Sequence, residues 1–332
     1  MATVAHQAFG ALMLAGSLLL ALVTGRSARM RPGLSGSVAA PSAVAASSKL
    51  SDYVALAKVR VTLLAVITTA VGFIMGSPHR LDWPRFAMTL AGAFLVGAGA
   101  QALNQWIERD ADARMQRTAR RPLPAGRLRP GSALVFGLAT AALGLALLVL
   151  QVNLLAAGLA LATFLSYVVV YTPLKRVTPF CTLVGAVPGA LPPLIGWAAS
   201  AGSLNGGAWV LFGILFLWQL PHFLAIALVY REEYAAAGFR MLPVVEPSGD
   251  STARQLVLYG LALVPTSLLP NIVGLAGPLY FVAALAVGCW LVAVAVLAAR
   301  VRTFDVAKRL FLASIGYLPI LLVLMVADRV AL

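Results

Sequence analysis

"FAMTLAGAFLVGAGAQALNQWIERDADARMQRTARRPLPAGRLR", residues 86–129, changes character part-way along. Up to about residue 106 it is apolar and long enough to cross roughly 30 Å of hydrocarbon. From Asn104 to Arg129 it then carries ten charged residues in twenty-six positions. The first half decides the fold. It lacks the apolar–polar alternation of a barrel strand, and in lipid every backbone polar group needs a partner within its own segment, so it reads as a helix. The rest of the chain repeats that reading. With 61% hydrophobic residues, 11% charged residues and a mean hydropathy of +0.92 over 332 residues, the solvent for most of it is lipid. Nine apolar spans follow residue 50, at about 52–76, 86–106, 131–150, 153–173, 179–199, 208–230, 255–275, 278–299 and 309–327. The expected fold class is therefore all-α: a polytopic membrane protein with a nine-helix transmembrane bundle over residues 49–332.

Residues 1–48 form an N-terminal extension. Its apolar run, "AFGALMLAGSLLLALVTG" at 8–25, is followed by Arg26, Arg29 and Arg31 and by a small-residue linker, "GLSGSVAAPSAVAASS". No basic residue precedes the run, which argues against a secretory signal or a mitochondrial presequence. An extra N-out span is the favoured reading, and a start codon assigned too early is the alternative.

Positive charge sets the orientation. The loops after spans two, four, six and eight hold sixteen of the twenty-five Lys and Arg residues. By the positive-inside rule those loops face the cytoplasm, which in a bacterium makes this an inner-membrane protein with the C-terminus outside. The net charge of +14 is thus mostly a topology signal, with anionic membrane lipid a sufficient partner and nucleic acid excluded as one. Cys181 and Cys289 both fall inside apolar spans, so neither a disulfide framework nor a thiolate metal site is expected.

The acidic residues carry more information, because no topology rule explains them. Seven of eleven occupy two loops assigned to one side: Glu108, Asp110 and Asp112 after span two, and Glu232, Glu233, Glu246 and Asp250 after span six. On a helix, Asn104, Glu108 and Asp112 share a face, drifting about 40° per step. Three oxygen donors in a stripe suit a hard cation such as Mg²⁺, which takes a few carboxylates together with substrate phosphates. Arg117, Arg120 and Arg121 would pair the remaining phosphate oxygens, and metal with guanidinium together specify a diphosphate. Mixed charges pairing in a solvated loop explain the spacing equally well. The second acidic loop, "VYREEYAAAGFRMLPVV" at 229–245, tips the balance, because it would let two helix ends face each other across the bundle.

Other features fit a buried chamber. Pro188, Pro192 and Pro193 in span five should bend or open its helix. Gly92, Gly97 and Gly99 point to close helix packing. Lys58 and Arg60 either snorkel to the interface or clamp phosphate. His222 is a polar group at membrane depth, a packing histidine or a functional one. Trp106, Trp218, Tyr171 and Tyr230 either anchor the interface or shield a carbocation with their π-faces.

These residues carry a resemblance. The chain from about Asp52 to its last span resembles the UbiA-type intramembrane prenyltransferases, and among them the subfamily that farnesylates protohaem IX, the haem O synthases. The family reads N-x-x-x-D-x-x-x-D and then M-x-R-T-x-x-R-P-L after span two. Here Asn104, Glu108 and Asp112 precede "MQRTARRPL" at 115–123. "YTPLKRVTP" (171–179), "GAVPGALPPLIGW" (185–197), "WQLPHF" (218–223) and "YREEYAAAGFRMLPVV" (230–245) match the subfamily in order. Glu108 and Glu233 stand where Asp is usual, which moves each carboxylate outward by a methylene. Val59 replaces the proline of the usual Lys-Pro-Arg.

The resemblance implies an enzyme that transfers the farnesyl group of farnesyl diphosphate to a vinyl group of haem B, with Mg²⁺ as cofactor. It implies Asn104, Glu108, Asp112 and Glu233 as catalytic metal ligands, and Lys58, Arg60, Arg117, Arg121, Lys175 and Arg176 as diphosphate partners. His222 and Tyr230 are the haem-binding candidates, and a downstream haem-modifying enzyme is a candidate partner. A quinone-type or chlorophyll-type prenyltransferase is the alternative within the family. A secondary transporter is disfavoured because the ionisable residues gather at span ends rather than at mid-membrane. A non-catalytic assembly protein would not need oxygen donors aligned on one helix face.

Overall fold

The structure is a computed structural model and describes residues 48–77 and 80–330. The N-terminal extension, with the extra span expected over 8–25, lies outside the described residues. Within them the chain is helical and has no strand, only an isolated bridge between Ala276 and Arg329. Nine helices among the described residues are long and apolar enough to cross a membrane.

The expected first span is divided in two. An interfacial helix α1 (Lys49–Leu56), capped by the Ser48 hydroxyl, ends at Ala57, and the membrane helix α2 (Val59–Gly76) starts afresh. Between them Lys58 takes a left-handed backbone (φ 43°, ψ 52°). That conformation is costly for a residue with a Cβ and persists only where the surroundings impose it.

The second span becomes α3 (Trp83–Asp112). Asp82 caps its start, and its C-terminal end runs past the apolar stretch far enough to carry Asn104, Glu108 and Asp112 on helical backbone. α4 (Pro130–Gln151) returns antiparallel to it. Gly99 meets Gly137 and Gly92 meets Gly144, and a Cβ on either α3 glycine would strike the partner helix. Lipid tails provide little hydrophobic drive for helix association, so this backbone approach supplies the packing.

The fourth span is α5 (Leu154–Leu165), followed by a π-helical turn over Ser166–Tyr171 and a short α turn over Thr172–Leu174. Pro173 has no N–H to continue the α ladder, and the Thr172 N–H reaches back five residues to the Tyr167 carbonyl. The proline-rich fifth span is broken as expected, into α6 (Cys181–Ala190) and α7 (Pro192–Ala201). α7 lies against α2, where Gly196 abuts the Thr69 carbonyl and Gly72 abuts that of Pro193.

α8 (Gly206–Val229) is the pivot of the second half, in contact with α6, α7, α11 (Asp250–Ile272) and α13 (Phe304–Ala327). Between α8 and α11 lie the short helices α9 (Arg231–Ala236) and α10 (Leu242–Val245). α12 (Pro278–Val301) packs between α11 and α13, and α13 touches α2, so the first and last membrane helices meet. At the end away from the acidic loops, Asp328 accepts from the Tyr280 N–H at 2.7 Å, and Arg329 donates to the Ser77 carbonyl.

Candidate active site

At one end of the bundle the loops after spans two, four and six meet. The Arg240 N–H donates to the Lys175 carbonyl at 2.8 Å, and the Arg117 N–H donates to Glu233 Oε2 at 3.1 Å. Below them is a cavity of about 130 Å³ lined by Asn104, Glu108 and Asp112 from α3, by Lys58, Arg117, Arg121 and Lys175, and by Tyr167, Tyr171, Tyr234 and Phe239.

Asn104, Glu108, Asp112 and their basic partners are held by hydrogen bonds. Asn104, almost fully buried, accepts from Lys58 Nζ at 2.9 Å through Oδ1 and donates through Nδ2 to Thr172 Oγ1 at 3.2 Å. The Thr172 hydroxyl donates in turn to the Tyr167 carbonyl at 2.8 Å, so the π turn orients the amide of α3. Glu108 accepts from Lys175 Nζ at 2.8 Å, and Asp112 Oδ2 from Arg121 Nη1 at 2.6 Å. Aromatic faces support the cations: Lys175 lies 4.5 Å from the Tyr171 ring centre, and Arg117 lies 4.7 Å from that of Tyr230 and 5.8 Å from that of Tyr234.

Burial pulls Lys58 down to about 7, and Arg121 pushes the same way against the pull of Glu108. Burial is the largest single influence on Lys175 and acts to lower it, but Glu108, Tyr171 and Tyr167 together lift that ammonium well above its ordinary value. The N-terminal end of α2 begins at Lys58, so the positive end of a helix dipole adds to the cavity's attraction for anions.

The donors suit a hard divalent cation. They are oxygens only, and Asp112 Oδ1 is buried without a hydrogen-bond partner. No group of three His, Cys, Asp or Glu side chains among the described residues could hold a metal alone, so these side chains do not form a closed metal cage.

Eight residues singled out in the sequence therefore come together: Lys58, Asn104, Glu108, Asp112, Arg117, Arg121, Tyr171 and Lys175. Five do not line the cavity. Arg60 and Arg176 are exposed, the first lying two residues after Lys58 and the second one residue after Lys175, whose ammonium groups point inward. Glu233 sits behind Arg117, and Tyr230 lies under the Arg117 guanidinium, at the cationic end of the cavity. His222 lies deeper, between α8 and α13. Sequence reasoning missed Thr172, Tyr167, Tyr234 and Phe239. Thr172 had a signal in "YTPLK", where the proline after it predicts a break in the helix at that point.

The model of the UbiA prenyltransferase family matches residues 65–316. The chain belongs to the UbiA prenyltransferase family. A curated relative from Solibacter usitatus, named protoheme IX farnesyltransferase, is 48% identical over 289 residues, covering 84% of this chain and 99% of its own. Another of that name from Opitutus terrae is 45% identical, covering 87% and 98%.

Among solved structures, a digeranylgeranylglyceryl phosphate synthase superposes with a TM-score of 0.72 at 20% identity, over 84% of this chain and 98% of that one. A UbiA homologue from Archaeoglobus fulgidus bound to GPP and Mg²⁺ superposes with a TM-score of 0.59 at 17% identity, over 83% and 99%. At such identities these likenesses bear on the fold, and the all-α, nine-helix arrangement is that of UbiA proteins.

Proposed function

We propose that this UbiA protein transfers the farnesyl group of farnesyl diphosphate to a vinyl group of haem B, giving haem O, in the bacterial cytoplasmic membrane with its acidic loops on the cytoplasmic side. One observation carries the reading. Three oxygen donors and four basic side chains converge on a single small cavity, in a chain nearly half identical along its length to relatives named for this reaction. Membrane lipid and a downstream haem-modifying enzyme complete the proposed partners.

Asn104, Glu108 and Asp112 would hold Mg²⁺, with Glu233 supporting the loop that closes over them. The ion, when bound, supplies Lewis acidity to the departing diphosphate. Lys58, Arg117, Arg121 and Lys175 bind and orient the phosphate oxygens and neutralise charge as the allylic C–O bond breaks. Arg60 and Arg176, at the exposed rim, would draw the anion toward the cavity. Tyr167, Tyr171, Tyr234 and Phe239 line the polar cavity with ring faces that suit an allylic cation and exclude water. The haem vinyl group attacks that cation. The new carbocation takes up water and loses a proton, leaving the hydroxyethylfarnesyl side chain.

The test is a membrane assay with haem B, farnesyl diphosphate and Mg²⁺, followed by mass analysis of the extracted haems. A farnesylated haem is the expected product. Its absence, with prenylation of an added aromatic quinone precursor instead, would move the assignment to the quinone-type branch.

A further inference from the structure

His222 is held in a way that a packing histidine does not need. Ser314 Oγ lies 2.7 Å from the Phe311 carbonyl and 2.8 Å from His222 Nδ1. A hydroxyl has one proton and a carbonyl can only accept, so the Ser314 proton goes to Phe311 and Oγ accepts from Nδ1–H. In the neutral ring this leaves the lone pair on Nε2.

The imidazole stacks on Trp218, with ring centres 5.0 Å apart and planes 19° apart, and tilts against Phe311 at 5.3 Å. Trp218 is itself anchored by donating Nε1–H to the Ser314 carbonyl at 2.8 Å. These contacts fix the ring's orientation, and the Ser314–Phe311 bond favours the Nδ1–H tautomer. Among the described residues no hydrogen bond reaches Nε2, and it is not one of the five sealed polar atoms that lack partners, so this part-buried ring keeps Nε2 accessible. α8 contacts α6, α7, α11, α13 and α2, and His222 itself packs against α13 through Ser314 and Phe311. A polar nitrogen left unpaired at membrane depth is costly unless something binds it. His222 precedes Tyr230 by eight residues, about 12 Å along the helix, which puts it some two turns inward of the cationic end of the cavity.

We propose that His222 Nε2 is the axial ligand to the iron of the haem substrate, with Ser314 as the positioning residue that keeps Nδ1 protonated. The arrangement matches metal-bound histidines in general, whose second nitrogen donates to a fixed acceptor. It rests on the haem reading above, and it would orient the acceptor: a porphyrin held through its iron inward of the diphosphate would turn a vinyl edge toward the allylic carbon.

The probe is ferric haem b added, without prenyl diphosphate, to the full-length protein in nanodiscs. The expected spectrum is that of histidine-ligated haem. His222→Phe keeps the aromatic stack but should lose the histidine signature and bind haem at least about tenfold more weakly. His222→Gly should lose the signature and regain it with added imidazole. Ser314→Ala should weaken binding by roughly tenfold, and Ser314→Thr should preserve it. An unaltered spectrum in His222→Phe overturns the ligation. If wild-type membranes still farnesylate haem B, the reaction stands without it; if they farnesylate no haem, the reading beneath the ligation falls as well.

Discussion

Thr172→Val isolates one hydroxyl that does two things at once. In the native protein Thr172 Oγ1 accepts from Asn104 Nδ2 at 3.2 Å and donates to the Tyr167 carbonyl at 2.8 Å. Valine keeps the shape and removes both bonds. The Tyr167 carbonyl still receives the Thr172 backbone N–H, so the π turn survives. The Asn104 amide, 1% exposed, has no such substitute. A buried donor without a partner costs about 1–3 kcal/mol. At about 1.4 kcal/mol per factor of ten, that is roughly five- to 150-fold, in line with the roughly 10–100-fold loss seen when a metal ligand loses its outer partner. The amide escapes this cost only by rotating, which takes Oδ1 away from Lys58 and from the stripe it shares with Glu108 and Asp112. Farnesyl transfer in membranes, titrated with Mg²⁺, should therefore show an apparent Mg²⁺ affinity about ten- to a hundredfold weaker than wild type. Thr172→Ser should restore it. Wild-type Mg²⁺ dependence and turnover in Thr172→Val would refute the claim that the π turn orients Asn104.

Asp112→Ala and Glu108→Ala should each abolish prenyl transfer while the protein still inserts in the membrane, read by product mass and by membrane fractionation; full activity in either without added divalent cation defeats the metal assignment. Chelation with EDTA should stop transfer in wild-type membranes, and Mg²⁺ should restore it, whereas retained turnover under chelation would leave the cavity's lysines and arginines to act alone. Gly196→Ala should lower the thermal midpoint, because its Cβ meets α2 backbone at Thr69 and Phe73, which cannot yield as a side chain would; the expected loss is about 1–3 kcal/mol, and an unchanged midpoint would mean that α2 and α7 slide freely.

The sequence made the nine spans legible because lipid imposes one rule on every one of them. It also made the stripe Asn104–Glu108–Asp112 legible, because helical spacing puts those residues on one face and α3 extends far enough to keep them helical. Direction at the loops was a different matter. Lys175 and Arg176 are neighbours of like charge, yet only Lys175 enters the cavity; the turn after Pro173 decides which, and no periodicity encodes it. The break at Lys58 was hidden for the same reason, since a left-handed residue inside an apolar run leaves no compositional trace unless it is glycine. Ser314 could not be tied to His222, ninety-two positions away, before the packing of α8 on α13 was known.

The two ion pairs inside the cavity have a consequence for how such a polar pocket survives in a bilayer. Lys175 with Glu108 and Arg121 with Asp112 already form matched couples before any substrate arrives. On the proposed function, loading a metal diphosphate would then be an exchange of counterions: the carboxylates would turn to the cation and the basic groups to the phosphates. Product departure would reverse that trade and restore the two couples, leaving Arg117 and Lys58 as the basic groups in the cavity that no carboxylate pairs among the described residues.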